Sequence, residues 1–396
     1  MTISSNGDST VAVAQPPAAE ATAGGARFLA PERAALGRYL PGLDEQLAAL
    51  PLDELERPGG PGLELFRAAG GPGLLVPTEH GGLGADAVDA VRVQRAIGAR
   101  APSLAVATTM HHFSVATLVE LSRRSSGFEW LLLEAIATKR QLVASGFAEG
   151  RPGQGILNPY LEAERTDGGI RLSGAKKPCS LAHSMDLLTA SVRPSADEIA
   201  VAVIPANAAG IERAPFWDTP ILAGAESDEV RLTGVEISET MLLASEHGTD
   251  GGVADLEALG LMWFELLISA SYLGIASGLA ERAIAARKGS PGGRATVGAA
   301  LEGAAAALEG AAGARAGEAP ADALGRVLLA RYSVQDTVVD AANRAAELLG
   351  GMGFIRDADV GYLVAASRPL AFHPPSRWRM EEPLADFLAG QPLRIV

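Results

Sequence analysis

The chain has 396 residues, a length that fits two or three domains better than one compact core. Its 33 basic and 47 acidic side chains leave a net charge of −14, which excludes the basic face a general nucleic-acid binder needs. One cysteine, Cys179, excludes an intramolecular disulfide framework and any cysteine-built zinc or iron–sulfur site, and the six histidines, none in His-x-x-x-His spacing, give no metal centre.

Residues 1–25 are Ser, Ala, Gly and Pro with few charges. They lack the basic start and continuous apolar run of a signal peptide, so they read as a disordered tail of a cytoplasmic protein. Residues 26–140 form a first helical region, with apolar residues three and four apart over Leu63–Ala69, Ala85–Gly98 and Phe128–Lys139. Over residues 141–248 the period changes to alternation. Leu161–Arg165 and Ile170–Leu172 flank Asp167-Gly168 as a hairpin, and Met185–Val192, Glu198–Ile204 and Glu229–Ile237 follow as strands.

Helices return over residues 249–396, at Leu256–Lys288, Thr296–Ala312, Pro320–Gly350 and Val360–Ser367. Within the first of these, Leu259–Ala280 is long and apolar enough to span a bilayer. Glu265 and several serines and glycines interrupt it, and it has no basic flank on its N-terminal side, so it reads as a helix buried among other helices and no membrane partner is expected. The order helices, sheet, helices is a segregated α+β arrangement. No Gly-x-Gly-x-x-Gly joins a strand to a helix, so no dinucleotide-binding unit is present.

Three strings in this order resemble the acyl-CoA dehydrogenase superfamily: Leu75–Gly84 is similar to its "vPeeyGGlG" loop, Gly174–Ser180 to its "GxKxWIT" strand, and Glu347–Phe354 to its "QilGGxGf" helix end. The resemblance covers roughly Arg27 to Gly390 and implies a helical N-domain, a central β-barrel and a C-terminal four-helix bundle, assembled as a homo-oligomer, a tetramer or dimer, with flavin between barrel and bundle. It implies that the Ser180 hydroxyl reaches flavin N5, that Cys179 and the main chain of Phe147, Ala148 and Glu149 border the ring, and that Gly350, Gly351 and Gly353 approach flavin phosphate from a neighbouring subunit. On its residue type alone, Ser180 reads equally as a serine satisfying a strand end.

Departures from the dehydrogenase pattern bear on the chemistry. The common position of the catalytic base falls on Pro374, which takes no proton. The alternative position falls on Phe264, one residue before Glu265, and one residue turns a helical side chain by about 100°. Phe372–Trp378 instead resembles the "LHDPvrWK" string of the flavin monooxygenases that share this fold, such as dibenzothiophene monooxygenase and the oxygenase component of 4-hydroxyphenylacetate hydroxylase. Those enzymes place an N-domain histidine near the flavin, and Met110–Phe113, with the adjacent His111 and His112, sits in the corresponding region.

The expected site is therefore His112, Ser180 and His373, with imidazole for acid–base work and no acid over the flavin. The implied activity is that of a two-component monooxygenase acting on a small molecule with reduced FMN or FAD and dioxygen, the flavin supplied by a separate reductase. One alternative is an FAD-dependent dehydrogenase of acyl groups carried on CoA or a carrier protein, with Glu265 as a displaced base. The other is a non-catalytic scaffold that kept the fold.

Overall fold

The helical spacing read near residues 63, 85 and 128 belongs to a seven-helix N-terminal part of the computed structural model, which describes residues 27–124, 127, 129–150, 159–195, 198–244, 252–314 and 318–395. The tail expected at residues 1–25 lies outside the described residues. The helices are α1 (Ala30–Tyr39), α2 (Leu43–Ala48), α3 (Leu52–Glu56), α4 (Gly62–Ala68), α5 (Ala87–Arg100), α6 (Pro102–Arg124) and α7 (Glu129–Thr138). The Asp86 carboxylate caps α5 by accepting from Asp89 N at 2.8 Å, and α6 opens on Pro102, where a missing N–H costs nothing.

Eight strands follow: β1 (Val143–Gly146), β2 (Glu162–Thr166), β3 (Gly169–Cys179), β4 (Leu187–Ser195), β5 (Glu198–Pro205), β6 (Ile211–Ala214), β7 (Asp228–Ile237) and β8 (Leu242–Ala244). They form one sheet in the order β6-β7-β3-β2-β4-β5-β8, with β1 added parallel to β4. The expected hairpin is present: Thr166 pairs with Gly169 across Asp167-Gly168. Gly169 has φ 141°, and a Cβ there would lie 2.2 Å from Ile237 O, so only glycine fits.

The C-terminal part comprises α8 (Gly252–Ala285), α9 (Pro291–Ala314), α10 (Pro320–Arg356), α11 (Ala358–Ala366) and α12 (Arg377–Leu388). Gly350 kinks α10 with φ 81° and ψ 166°. Residues 257–285 of α8 pass the length and hydropathy test for a membrane span, yet 89% of the most apolar window is buried inside the protein. It is the core helix, packed against α5, α6, α9 and α10.

Where α5 crosses α8, main chain comes close to main chain. A Cβ on Gly274 would lie 2.3 Å from Arg95 O, one on Gly98 2.3 Å from Ser271 O, and one on Gly278 2.5 Å from Ala99 O. Arg95, 1% exposed, locks the same crossing by reaching Glu32 on α1, Ser277 on α8 at 3.2 Å and Glu302 on α9 at 2.8 Å. Gly274→Ala is expected to lower unfolding stability by about 1–3 kcal/mol, because the methyl group meets a main-chain oxygen that cannot rotate away. A urea titration followed by circular dichroism checks this.

Candidate active site

The side chains that α6 and α8 turn toward the sheet enclose a cavity of ≈360 Å³. That is within the range of small-molecule sites. From α6 come Val106, Met110, Phe113 and Thr117, spaced four, three and four as one helical face requires. From α8 come Glu257, Gly260, Leu261 and Phe264, and two turns further Tyr272. The sheet contributes Ser145, Phe147 and Ala148 at the end of β1, and Pro178 and Ser180 at the end of β3. The segment Pro369–Pro374 closes the wall.

Ser180 and Ser227 flank the last rung between β3 and β7, where Cys179 pairs with Asp228. Their hydroxyl oxygens are 2.9 Å apart and both residues line the cavity. One hydroxyl hydrogen is used within the pair and the other remains for a ligand. Leu181 at φ 66° and Glu226 at φ 55° bend both chains sharply just beyond the pair, and Leu181 N donates to Ala225 O at 3.0 Å.

His373 meets the cavity beside the rings of Phe264 and Tyr272, with its Nε2 3.0 Å from the Tyr272 hydroxyl. Burial, aided by the Arg331 guanidinium, pushes the imidazolium down to about 3. Burial likewise pushes the Tyr272 phenol above its ordinary range. At neutral pH this is a pair of uncharged groups sharing a hydrogen bond. The loop that carries His373 is tied to α10. Arg331 Nη2 donates to Leu370 O at 2.9 Å and to His373 O at 2.8 Å, and the Tyr332 hydroxyl donates to Pro375 O at 2.8 Å.

No family model matches the chain. The chain is 45% identical over 366 residues to isobutylamine N-hydroxylase of Streptomyces viridifaciens, a match that covers 90% of this chain and 97% of that protein. It belongs to the flavin-dependent monooxygenases of acyl-CoA dehydrogenase fold. It is also 30% identical over 241 residues to dibenzothiophene monooxygenase of Rhodococcus erythropolis, across 58% of this chain and 57% of that protein. Among solved structures, FMN-bound TdsC from Paenibacillus sp. A11-2 superposes with a TM-score of 0.78 at 20% identity, covering 91% of this chain and 98% of that one.

Within this flavin monooxygenase, the cavity brings together Ser180, His373, Phe147 and Ala148 from the residues expected from sequence. It leaves out the others. His112 does not face the cavity: it is fully buried against Phe66, with ring centroids 5.6 Å apart, and neither ring nitrogen has a partner among the described residues. Its neighbour His111 is a strut, accepting from Val143 N at 3.0 Å and placing Nε2 3.0 Å from Pro72 O. The pocket-facing residues of α6 next to them are Met110 and Phe113, to either side of the two histidines.

Glu265, the alternative base, is also outside the cavity, 0% exposed, with its Oε2 2.7 Å from Arg331 Nε. Burial raises its carboxyl to about 7 against the pull of Arg331. Glu149 turns its carboxylate inward to Lys176 Nζ at 2.7 Å and to the amides of Tyr160 and Leu161, so any cofactor contact at that position is with main chain. Cys179 is buried with its thiol pushed up to about 12 by desolvation, and it does not line the cavity. Gly350, Gly351 and Gly353 lie at the far end of α10, away from this chain's cavity.

Several polar lining residues escape the sequence reading, Tyr272 among them. Ser227 is another, since only the β3–β7 register brings it to Ser180. Glu257 is a third, and it corrects the expectation that no acid reaches this site. The choice of monooxygenation over dehydrogenation therefore rests on the relationship to the N-hydroxylase and not on the absence of a carboxylate.

His112→Phe is expected to leave reduced-flavin-dependent product formation within about 2-fold of the parent, since the ring it replaces is core packing. Burial and the neighbouring His111 hold His112 well below 6.5, whereas the unfolded chain takes up that proton near 6.5, so its contribution to stability is present above that pH and is lost as the pH falls. As the pH falls from 6 toward 4 the variant should lose less stability than the parent. Urea midpoints measured at each pH provide the check.

Proposed function

We propose that this protein N-hydroxylates a small, free aliphatic primary amine using reduced FMN or FAD and dioxygen, with the reduced flavin delivered by a separate reductase. The relationship to isobutylamine N-hydroxylase over nearly the whole of both chains carries this reading. The cavity supports it, being small, largely apolar and walled by residues from all three parts of the chain.

The donor set fits a flavin. The unspent hydroxyl hydrogen of the Ser180–Ser227 pair offers one directed hydrogen bond, the main chain of Phe147 and Ala148 lies beside it, and Trp217 adds an aromatic wall. Reduced flavin there supplies the electron pair that lets one atom of dioxygen enter the substrate while the other leaves as water. Met110, Phe113, Leu261 and Phe264 exclude bulk water from the reacting groups, which strengthens every remaining polar contact. The uncharged Tyr272–His373 pair holds a hydrogen-bonding position without adding a cation to the wall of the cavity.

The same proposal includes a homotetramer in the cytoplasm. Met352, Phe354 and Ile355 are 57%, 57% and 75% exposed beside Gly350–Gly353, an apolar surface suited to a second copy, through which those glycines would meet a neighbour's flavin phosphate. The test is to photoreduce FMN or FAD anaerobically with the protein and isobutylamine, admit air, and look by mass spectrometry for the hydroxylamine, one oxygen heavier. Failure to form it, with consumption of an acyl thioester instead, overturns the reading. Ser180→Ala should weaken FMN binding by about 2- to 12-fold, the range for one hydrogen bond of 0.5–1.5 kcal/mol, as read by quenching of flavin fluorescence.

A further inference from the structure

The cavity contains one ionisable side chain that the chemistry described so far leaves without a role. Glu257 lies one turn before Gly260 and Leu261 and two turns before Phe264, and all four line the cavity, so the face of α8 that carries Glu257 is fixed toward the ligand. It is the only carboxylate among the described lining residues, and no lysine or arginine accompanies it there. Among the described residues it makes no ion pair and no hydrogen bond, unlike Glu265 in its bridge with Arg331. Desolvation alone raises its carboxyl to about 7. A half-buried acid with no countercharge among the described residues, set in a largely apolar wall, is costly unless a ligand completes it.

Its surroundings specify the ligand. Gly260 brings α6 close, since a Cβ there would lie 3.1 Å from Thr117 Oγ1. The Thr117 hydroxyl already donates to Phe113 O at 2.8 Å, so its lone pairs are left to accept. Carboxylate and acceptor lone pairs together suit a cation with several N–H donors, and Leu261 and Phe264 suit a short hydrocarbon attached to it. About 10 Å of helix separates Glu257 from Phe264, whose ring packs on His373, so the acid marks one end of the site and the Tyr272–His373 pair the other.

We propose that Glu257 is the recognition residue for the substrate's ammonium group, pairing with a small aliphatic primary ammonium ion and excluding neutral and anionic substrates. This rests on the amine-hydroxylase reading and assigns that reading its specificity-determining side chain.

The experiment is isothermal titration of the full-length protein, without flavin, with isobutylammonium chloride and with isobutanol as the neutral isostere. The parent, Glu257→Gln and Glu257→Asp are compared. The parent should prefer the ammonium ion. Glu257→Gln should weaken it by about 10- to 150-fold, the range for one charge-assisted contact, with isobutanol and FMN affinities unchanged, and Glu257→Asp should recover part of the loss.

Unchanged FMN affinity shows that the variants are folded. Equal ammonium affinity in the parent and Glu257→Gln overturns the proposal, as does a parent that binds isobutanol as tightly as the ammonium ion. Turnover with reduced FMN separates this inference from the reading beneath it. Hydroxylamine formed by Glu257→Gln with an unchanged KM leaves the monooxygenase standing and removes Glu257. Glu257-dependent ammonium binding with no hydroxylamine from the parent keeps the recognition role and removes the amine-hydroxylase activity.

Discussion

The geometry of this site hangs on one buried cation. Arg331 is 0% exposed on α10, with its Nε 2.7 Å from the Glu265 carboxylate as an ion pair, and its two terminal nitrogens donate to three groups: the Gln335 side chain and the carbonyls of Leu370 and His373. A charge buried this deeply is tolerated only when it is paired and hydrogen-bonded, so the segment that bears His373 is held by the same contacts that offset the burial of Arg331. Glu265 is thereby explained without catalysis. It is the counterion that lets α10 position the loop, and it acts on the site through Arg331 and not by touching substrate.

Charge is distributed to match. The strong ion pairs, Arg331 with Glu265 and Lys176 with Glu149, sit outside the cavity and stiffen its walls. Inside, among the described residues, are hydroxyls, an uncharged imidazole and a single carboxylate. An interior that is apolar except at defined points protects oxygen chemistry from water and leaves electrostatic discrimination to very few side chains.

Much of this was legible in the sequence because it depends on local pattern. The Asp167-Gly168 hairpin, the alternation of β4, β5 and β7, and the length of α8 follow from turn chemistry and periodicity. The short strands β1, β6 and β8 carry too few residues to show a period, and α12 contains Pro383, which masks its helical character. At the site, Ser180 and His373 were found through motif resemblance. His112 was misplaced although the signal was available: Val106, Met110, Phe113 and Thr117 define one face of α6, and the face opposite binds core. Glu257 is equally readable as i−7 from Phe264, on the face that Glu265 does not share. Ser227 lies 47 residues from Ser180, and only strand pairing unites them.

The glycine seam between α5 and α8 bears on how such an enzyme acquires new substrates. With main chain touching main chain at Gly98, Gly274 and Gly278, α8 has no slack to slide or tilt, so the chamber cannot be enlarged by moving its principal wall. Diversification has to proceed by exchanging individual lining side chains on an unmoving frame, which permits large changes of preference in few mutational steps while the scaffold itself stays put.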